Sequence, residues 1–81
     1  MTIRIQNLSP QATEDDVIAL VSEYGNVNQV TLPTDRQTGQ KHGYALVDLS
    51  SGEDRAIQEL NNSEWMGKQI KVEVFRYRQK H

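Results

Sequence analysis

Hydrophobic and polar residues alternate in three segments of the chain, with the period of two that is typical of a half-buried β-strand. The three segments are IRIQNL from Ile3, GYALVDL at residues 43–49 and IKVEVF at residues 70–75. A further strand is predicted where Val27, Val30 and Leu32 precede Pro33. The pattern therefore predicts four short strands.

Two segments between these strands carry apolar residues at helical spacing instead. The first begins with a capping box at Thr13, and Gly25 ends it. Its apolar face is predicted to consist of Val17, Leu20, Val21 and Tyr24.

The second helix is predicted to begin after Ser50 or Ser51, which are candidate N-caps. Its short apolar stripe consists of Ala56, Ile57 and Leu60. Residues 61–67 are predicted to form a loop, in which Trp65 packs against the margin of the core. The order of elements is βαββαβ.

Two helices and four strands with one apolar face each predict an α+β fold with two layers, in which both helices cover one face of an antiparallel sheet. The other face of the sheet is left open to solvent, and it is the default binding surface. Its predicted residues are Arg4, Gln6, Thr31, Tyr44, Leu46, Asp48, Lys71, Glu73 and Phe75.

Composition excludes several classes of protein. The 81 residues suffice for one small domain. They contain no cysteine, so a disulfide framework and a thiolate zinc site are excluded, and with His42 and His81 as the sole imidazoles we predict no metal centre. Neither a membrane-spanning apolar run nor a secretory signal is evident. We therefore expect a soluble, cytoplasmic monomer that binds no membrane and no cofactor.

The net charge of −2 hides an asymmetry along the chain. Residues 1–67 carry four basic side chains against ten carboxylates, a net charge of −6. Residues 68–81 carry five basic side chains against one carboxylate, a net charge of +4. Most carboxylates lie in or beside the helices, so the basic end of the chain is the predicted contact for an anionic partner.

Four segments of the sequence together resemble the RNA-recognition-motif family. They are HGYALVDL at residues 42–49, IRIQNL at residues 3–8, LPTDRQTGQ at residues 32–40 and EWMGKQIKV at residues 64–72. The second pair of segments is similar to the short single-domain RNA-binding proteins of cyanobacteria. The resemblance implies a ferredoxin-like sandwich over residues 1–75, followed by a short basic tail at residues 76–81.

The resemblance also implies that bases of single-stranded RNA stack on outward-facing rings of the two central strands. Tyr44 is retained at one of the three stacking positions of the family. Arg4 and Leu46 occupy the other two, and Gln6 stands where a glycine is usual. We therefore expect weak binding of single-stranded RNA, with low sequence specificity.

The predicted RNA-binding residues combine this face with nearby cations. They are Arg4, Gln6, Lys41, Tyr44, Leu46, Lys71, Phe75, Arg76 and Arg78. Four of them have open alternatives. Tyr44 stacks on a base or is a surface tyrosine favoured by strand propensity, and Leu46 is an ordinary exposed leucine or part of an apolar patch for a protein partner. Arg4 contacts RNA or pairs across strands with Asp48 or Glu73, whereas Phe75, like Tyr77, contacts the ligand or folds back over the edge of the sheet.

A different class of function is a protein-interaction module that uses the altered sheet face or the acidic helix face. Catalysis is not expected. The sequence shows no glycine-rich phosphate loop, no histidine with a plausible nucleophile and no carboxylate pair that a pocket would contain. We therefore predict a binding protein without catalytic residues.

Overall fold

The computed structural model of the chain describes residues 1–75. The elements follow in the order β1 (Thr2–Gln6), α1 (Glu14–Val21), β2 (Val27–Thr31), β3 (Tyr44–Leu49), α2 (Glu53–Leu60), β4 (Glu64–Trp65), β5 (Lys68–Gln69) and β6 (Lys71–Phe75). The predicted βαββαβ order is confirmed, with a small additional hairpin before the last strand. The predicted tail at residues 76–81, with Arg76 and Arg78, lies outside the described residues.

The main sheet has four antiparallel strands in the order β2-β3-β1-β6. Both helices pack on one face of this sheet. Their buried residues form a single core with the inward side chains of the strands. The helices contribute Val17, Val21, Ala56 and Leu60 to that core. Within residues 1–75 the opposite face carries no helix, which confirms the predicted two-layer arrangement.

Alternation along β1, β3 and β6 separates the two faces of the sheet. Ile3, Ile5 and Val47 are fully buried, whereas their chain neighbours are partly exposed. Burying an aliphatic side chain stabilises a fold by roughly 1.5–3 kcal/mol, so this face holds the register of the strands. A shift by one residue would expose all of these side chains.

Helix α1 begins with the predicted capping box. The Thr13 hydroxyl accepts from the Asp16 backbone N–H at 3.2 Å, and the Asp16 carboxylate accepts from the Thr13 N–H at 3.1 Å. The helix ends at Val21, one turn earlier than the apolar pattern suggests. Tyr24 lies beyond this end, but it still packs against the core.

Helix α2 is capped by Gly52, so the prediction of Ser50 or Ser51 as N-cap is wrong. Gly52 has a φ of 82°, which favours glycine, and a β-carbon there would lie 1.9 Å from the Tyr24 carbonyl oxygen. Gly25 approaches equally closely, because its added β-carbon would lie 1.9 Å from the Ser51 oxygen. This glycine contact, formed by residues 24–25 and 51–52, determines how the chain enters α2.

The sequence predicts a loop at residues 61–67, but a short hairpin begins in this segment. Strands β4 and β5 form a hairpin whose turn residues, Met66 and Gly67, have φ values of 51° and 81°. Positive φ at both central residues is typical of a type I′ turn, which suits the twist of a two-residue hairpin. Trp65 packs against the edge of the core, as predicted.

Neither helix in the described part of the chain has the length and hydropathy that crossing a membrane requires.

Candidate nucleic-acid interface

The open face of the sheet arranges its side chains in three rows that cross strands β3, β1 and β6. Antiparallel pairing places residues of the three strands opposite one another, and alternation directs the same set away from the helices. The Tyr44 row contains Tyr44, Gln6 and Lys71; the Arg4 row contains Leu46, Arg4 and Glu73; the Asp48 row contains Asp48, Thr2 and Phe75. The predicted sheet residues thus lie on one continuous surface.

Arg4 forms the cross-strand ion pair that the sequence left as one of two alternatives. Its Nε donates to Glu73 Oε2 at 2.9 Å, and its Nη2 donates to the same oxygen. Gln6 Nε2 donates to this oxygen at 3.2 Å. The guanidinium carbon of Arg4 also lies 5.8 Å from the centre of the Phe75 ring. Glu73, and not Asp48, therefore holds Arg4 in the middle of the open face.

A groove lies at the end of the Tyr44 row. Its volume is about 500 Å³. Its walls come from the ends of β1, β3 and the β4–β5 hairpin, and its lining includes Gln6, Tyr44, Lys68 and Lys71. The groove is large enough for a nucleotide-sized ligand, and it joins an aromatic ring to two cationic side chains.

His42 and Lys68 line this groove, although the sequence analysis assigned neither to the site. The His42 ring lies 6.3 Å from the Tyr44 ring, at an interplanar angle of 34°. Lys68 reaches the groove because the β4–β5 hairpin folds against the end of β1, where Asn7 Nδ2 donates to the Gln69 carbonyl at 2.8 Å. The Met66-Gly67 turn was the available sequence signal for this hairpin.

The predicted cations are distributed unevenly. Lys71 lies in the Tyr44 row, where its Nζ donates to Asn62 Oδ1 at 2.6 Å. Lys41 pairs with Thr34 through its backbone and lines a separate groove beside the acidic start of α1, with Glu14 and Asp15. The structure therefore brings Lys71 to the open face but places Lys41 elsewhere.

Among residues 1–75, cationic side chains without a carboxylate partner are concentrated at one end of the open face. The Tyr44 row ends beside Lys68 and Lys71, whereas the other two rows contain Glu73 and Asp48. Asp48 accepts from Asn28 Nδ2 at 3.4 Å and lies 3.6 Å from the amino group of Met1. The carboxylates of these two rows are therefore paired with cations, and a phosphate is favoured at the Tyr44 end of the face, where Lys68 and Lys71 lie.

The loop between β2 and β3 is organised by the side chain of Asp35. Its Oδ1 accepts from the backbone N–H groups of Gln37, at 2.7 Å, and Thr38, at 3.1 Å. These two hydrogen bonds favour the ionised carboxylate and lower its pKa below the ordinary value of 3.8. The turn that follows Pro33 is thus closed by a charged acceptor.

Acidification is expected to loosen this loop. The lowered pKa means that ionised Asp35 stabilises the turn above the ordinary pKa, and that this contribution is lost as the pH falls through the lowered value. NMR should show the amide protons of Gln37 and Thr38 shifting together, with a midpoint below pH 3.8. The same transition should be missing from Asp35→Ala, and a midpoint above 3.8 in the wild type would contradict the assignment.

Within residues 1–75, no cluster of three or more histidine or carboxylate side chains is suitably placed to hold a metal ion.

Comparison with curated proteins gives matches over most of the chain. RbpD of Nostoc sp. (strain PCC 7120 / SAG 25.82 / UTEX 2576) is 50% identical over 74 residues, which are 89% of this chain and 79% of that protein. RbpE of the same strain is 47% identical over 81 residues, which are 98% of this chain and 82% of that protein. Both are named as candidate RNA-binding proteins, and the resemblance to cyanobacterial relatives is thereby confirmed.

Solved structures give the same result for the fold. The crystal structure of RNA-binding protein PG1 superposes with a TM-score of 0.91 at 32% identity, over 99% of each chain. The Sxl-lethal protein in its complex with RNA superposes with a TM-score of 0.86 at 31% identity, over 98% of this chain and 48% of that one. A family model described as RNA recognition motif matches residues 3–71. Sequence, fold and the open sheet face therefore agree, and the chain belongs to the RNA recognition motif family.

Proposed function

We propose that the open face binds single-stranded RNA, weakly and with little sequence preference. The observation that carries this proposal is the groove at the end of the Tyr44 row, where an outward-facing ring lies beside Lys68 and Lys71. A base stacks on Tyr44, and the two ammonium groups bind the adjoining phosphates. The named RNA-binding relatives and the RNA complex of a structural neighbour support the assignment of RNA as the ligand.

Weak affinity follows from the replacement of two stacking rings. Each base–aromatic stack contributes roughly 1–3 kcal/mol, so two missing rings reduce the binding free energy by about 2–6 kcal/mol. Arg4 offsets part of this loss, because a guanidinium plane also stacks on bases. Leu46 offers apolar contact without a ring, so the Tyr44 row contributes most of the affinity.

Phosphates outside the groove are assigned to the basic end of the chain. Residues 1–75 form the RNA-binding domain, and Arg76 and Arg78 extend it with a basic tail. Phe75, the last residue that the structure describes, lies under the Arg4 guanidinium. In this proposal the tail contributes salt-dependent affinity, whereas the sheet positions the bases.

An NMR titration of the labelled protein with short random single-stranded RNA at low salt tests this assignment. The expected result is that amide shifts concentrate on Gln6, Tyr44, Lys68 and Lys71, and that they diminish as salt is added. The amides of α1 provide an internal control, since that helix lies on the other side of the sheet. Absence of shifts at millimolar RNA, or shifts confined to the helices, would overturn the proposal.

A protein-binding role is the second candidate, and one groove on the helical side favours it. Its volume is about 530 Å³. It is lined by Leu20, Trp65 and Met66, and Asp16 and Glu23 supply acidic groups. Such a groove suits a basic polypeptide with apolar side chains. Partners that are recovered with the protein and survive nuclease treatment would support this role.

A further inference from the structure

We propose that Glu73 determines base specificity at one position of the bound RNA, where it selects guanine for the nucleotide that lies over the Arg4 row. The inference rests on the proposed binding of RNA by the open face. It refines the low sequence preference proposed above, because selection is confined to a single nucleotide.

The Glu73 carboxylate is held in place from one side. Its Oε2 accepts from Nε and Nη2 of Arg4 and from Nε2 of Gln6. Its Oε1 accepts no hydrogen bond from the residues that the structure describes. The side chain remains 50% exposed, so a ligand can reach this oxygen. Glu73 therefore presents one fixed acceptor, with two lone pairs, at the centre of an exposed surface.

The position of this acceptor relative to Tyr44 fits a second nucleotide. Residues two apart along a strand are separated by about 7 Å, so the Arg4 row lies one such step from the Tyr44 row. When one base stacks on Tyr44, the adjoining base lies over the next row, above Leu46 and the guanidinium plane of Arg4. Glu73 lies opposite Arg4 in the same row, so in the proposed arrangement the Watson–Crick edge of the second base faces its carboxylate.

The chemistry of the acceptor selects among the four bases. Guanine presents two donors side by side on its Watson–Crick edge, N1–H and N2–H, and a carboxylate oxygen can accept from both. Uracil presents one N–H between two carbonyl oxygens, and the carboxylate repels both of these oxygens. Adenine and cytosine each present one amino group beside a ring acceptor. Guanine is therefore the best ligand, and uracil the worst.

Contact with Arg4 would not give the same selection, because Arg4 and Glu73 bind different edges of guanine. A guanidinium prefers the O6 and N7 acceptors on the Hoogsteen edge of guanine, and these acceptors are also present in hypoxanthine, the base of inosine. Inosine differs from guanosine only by the absence of the 2-amino group. The affinity ratio between a guanosine and an inosine ligand therefore reports contact with Glu73 and is insensitive to contact with Arg4.

The experiment compares three heptanucleotides by fluorescence anisotropy: all uridine, and uridine with a single central guanosine or inosine. For the wild type, we expect the guanosine ligand to bind about fivefold more tightly than the inosine ligand, and the all-uridine ligand to bind most weakly. In Glu73→Ala this ratio should fall to about one. Glu59→Ala removes the same charge from the exposed surface of α2, and its ratio should remain that of the wild type.

Other outcomes separate this inference from the proposed function. RNA binding with a guanosine-to-inosine ratio of about one in the wild type would show that the proposed role of Glu73 is wrong. A preference for guanosine that Glu73→Ala retains would show the same. Neither result would contradict the proposed RNA-binding face. If no ligand binds the wild type, both proposals fail. Glu73→Gln, which preserves the size of the side chain, serves as a second variant if alanine disturbs β6. Arg4 requires the single amide oxygen as its acceptor, so an NH2 donor replaces the free oxygen and the ratio should also fall.

Discussion

Replacing Tyr44 with alanine should weaken the binding of single-stranded RNA by about 5- to 150-fold, which corresponds to the loss of 1–3 kcal/mol from one stacking contact. The effect is expected to be large because the proposed site stacks a base on Tyr44, which lines the groove with Lys68 and Lys71. Fluorescence anisotropy with a labelled heptanucleotide measures it, and the Kd of the variant is compared with that of the wild type at one fixed salt concentration.

Tyr44→Phe provides the matched control, because it keeps the ring and removes the hydroxyl. Its affinity should stay within about threefold of the wild type if stacking is the main interaction. Tyr44 is partly exposed and lies opposite Gln6 in the sheet, so neither variant should disturb the core. If alanine binds RNA as tightly as tyrosine, bases do not stack on this strand and the proposed site is wrong.

Replacing Gly52 with alanine should destabilise the protein by about 2–5 kcal/mol. Roughly 1–2 kcal/mol comes from the left-handed backbone and a further 1–3 kcal/mol from forcing a methyl group into a filled space. The obstructing atom is the Tyr24 carbonyl oxygen, 1.9 Å from the added β-carbon. The free energy of unfolding, obtained from urea denaturation, measures the loss, which is a large fraction of the stability of a small domain.

Gly39→Ala separates the two causes. Gly39 has a φ of 75°, close to the 82° of Gly52, but no atom lies within 4 Å of its added β-carbon. It should therefore lose the backbone contribution alone, about 1–2 kcal/mol. Equal destabilisation of the two variants would show that the glycine contact between residues 24–25 and 51–52 accommodates a methyl group.

Much of the open face could be predicted because a strand leaves no freedom in which side its residues face. Once Ile3 and Ile5 are assigned to the core, Arg4 must lie on the other face, and the same reasoning places Tyr44 and Lys71. The partner of Arg4 could not be predicted in this way. Asp48 and Glu73 are both within reach across the sheet, and side-chain geometry decides between them.

The elements that the sequence did not reveal depend on few residues or on distant contacts. Strands β4 and β5 contain two residues each, which is too short for a period of two to be recognised. Because this hairpin was missed, Lys68 was not assigned to the groove beside Tyr44. Gly52 was overlooked as a cap because its conformation is required by contact with Tyr24, a residue far away in the sequence.

The adjacency of β1 and β6 has a consequence for how the protein reaches its fold. Arg4 and Glu73 pair across the sheet although 69 positions separate them in the chain. A nascent chain that has not yet released β6 therefore exposes one side of β1 as an unpaired edge, with its backbone groups open to other strands. Such long-range pairing also slows folding, because the chain must close a large loop first. The strand that supplies Glu73 to the open face is thus also the one whose arrival completes the sheet.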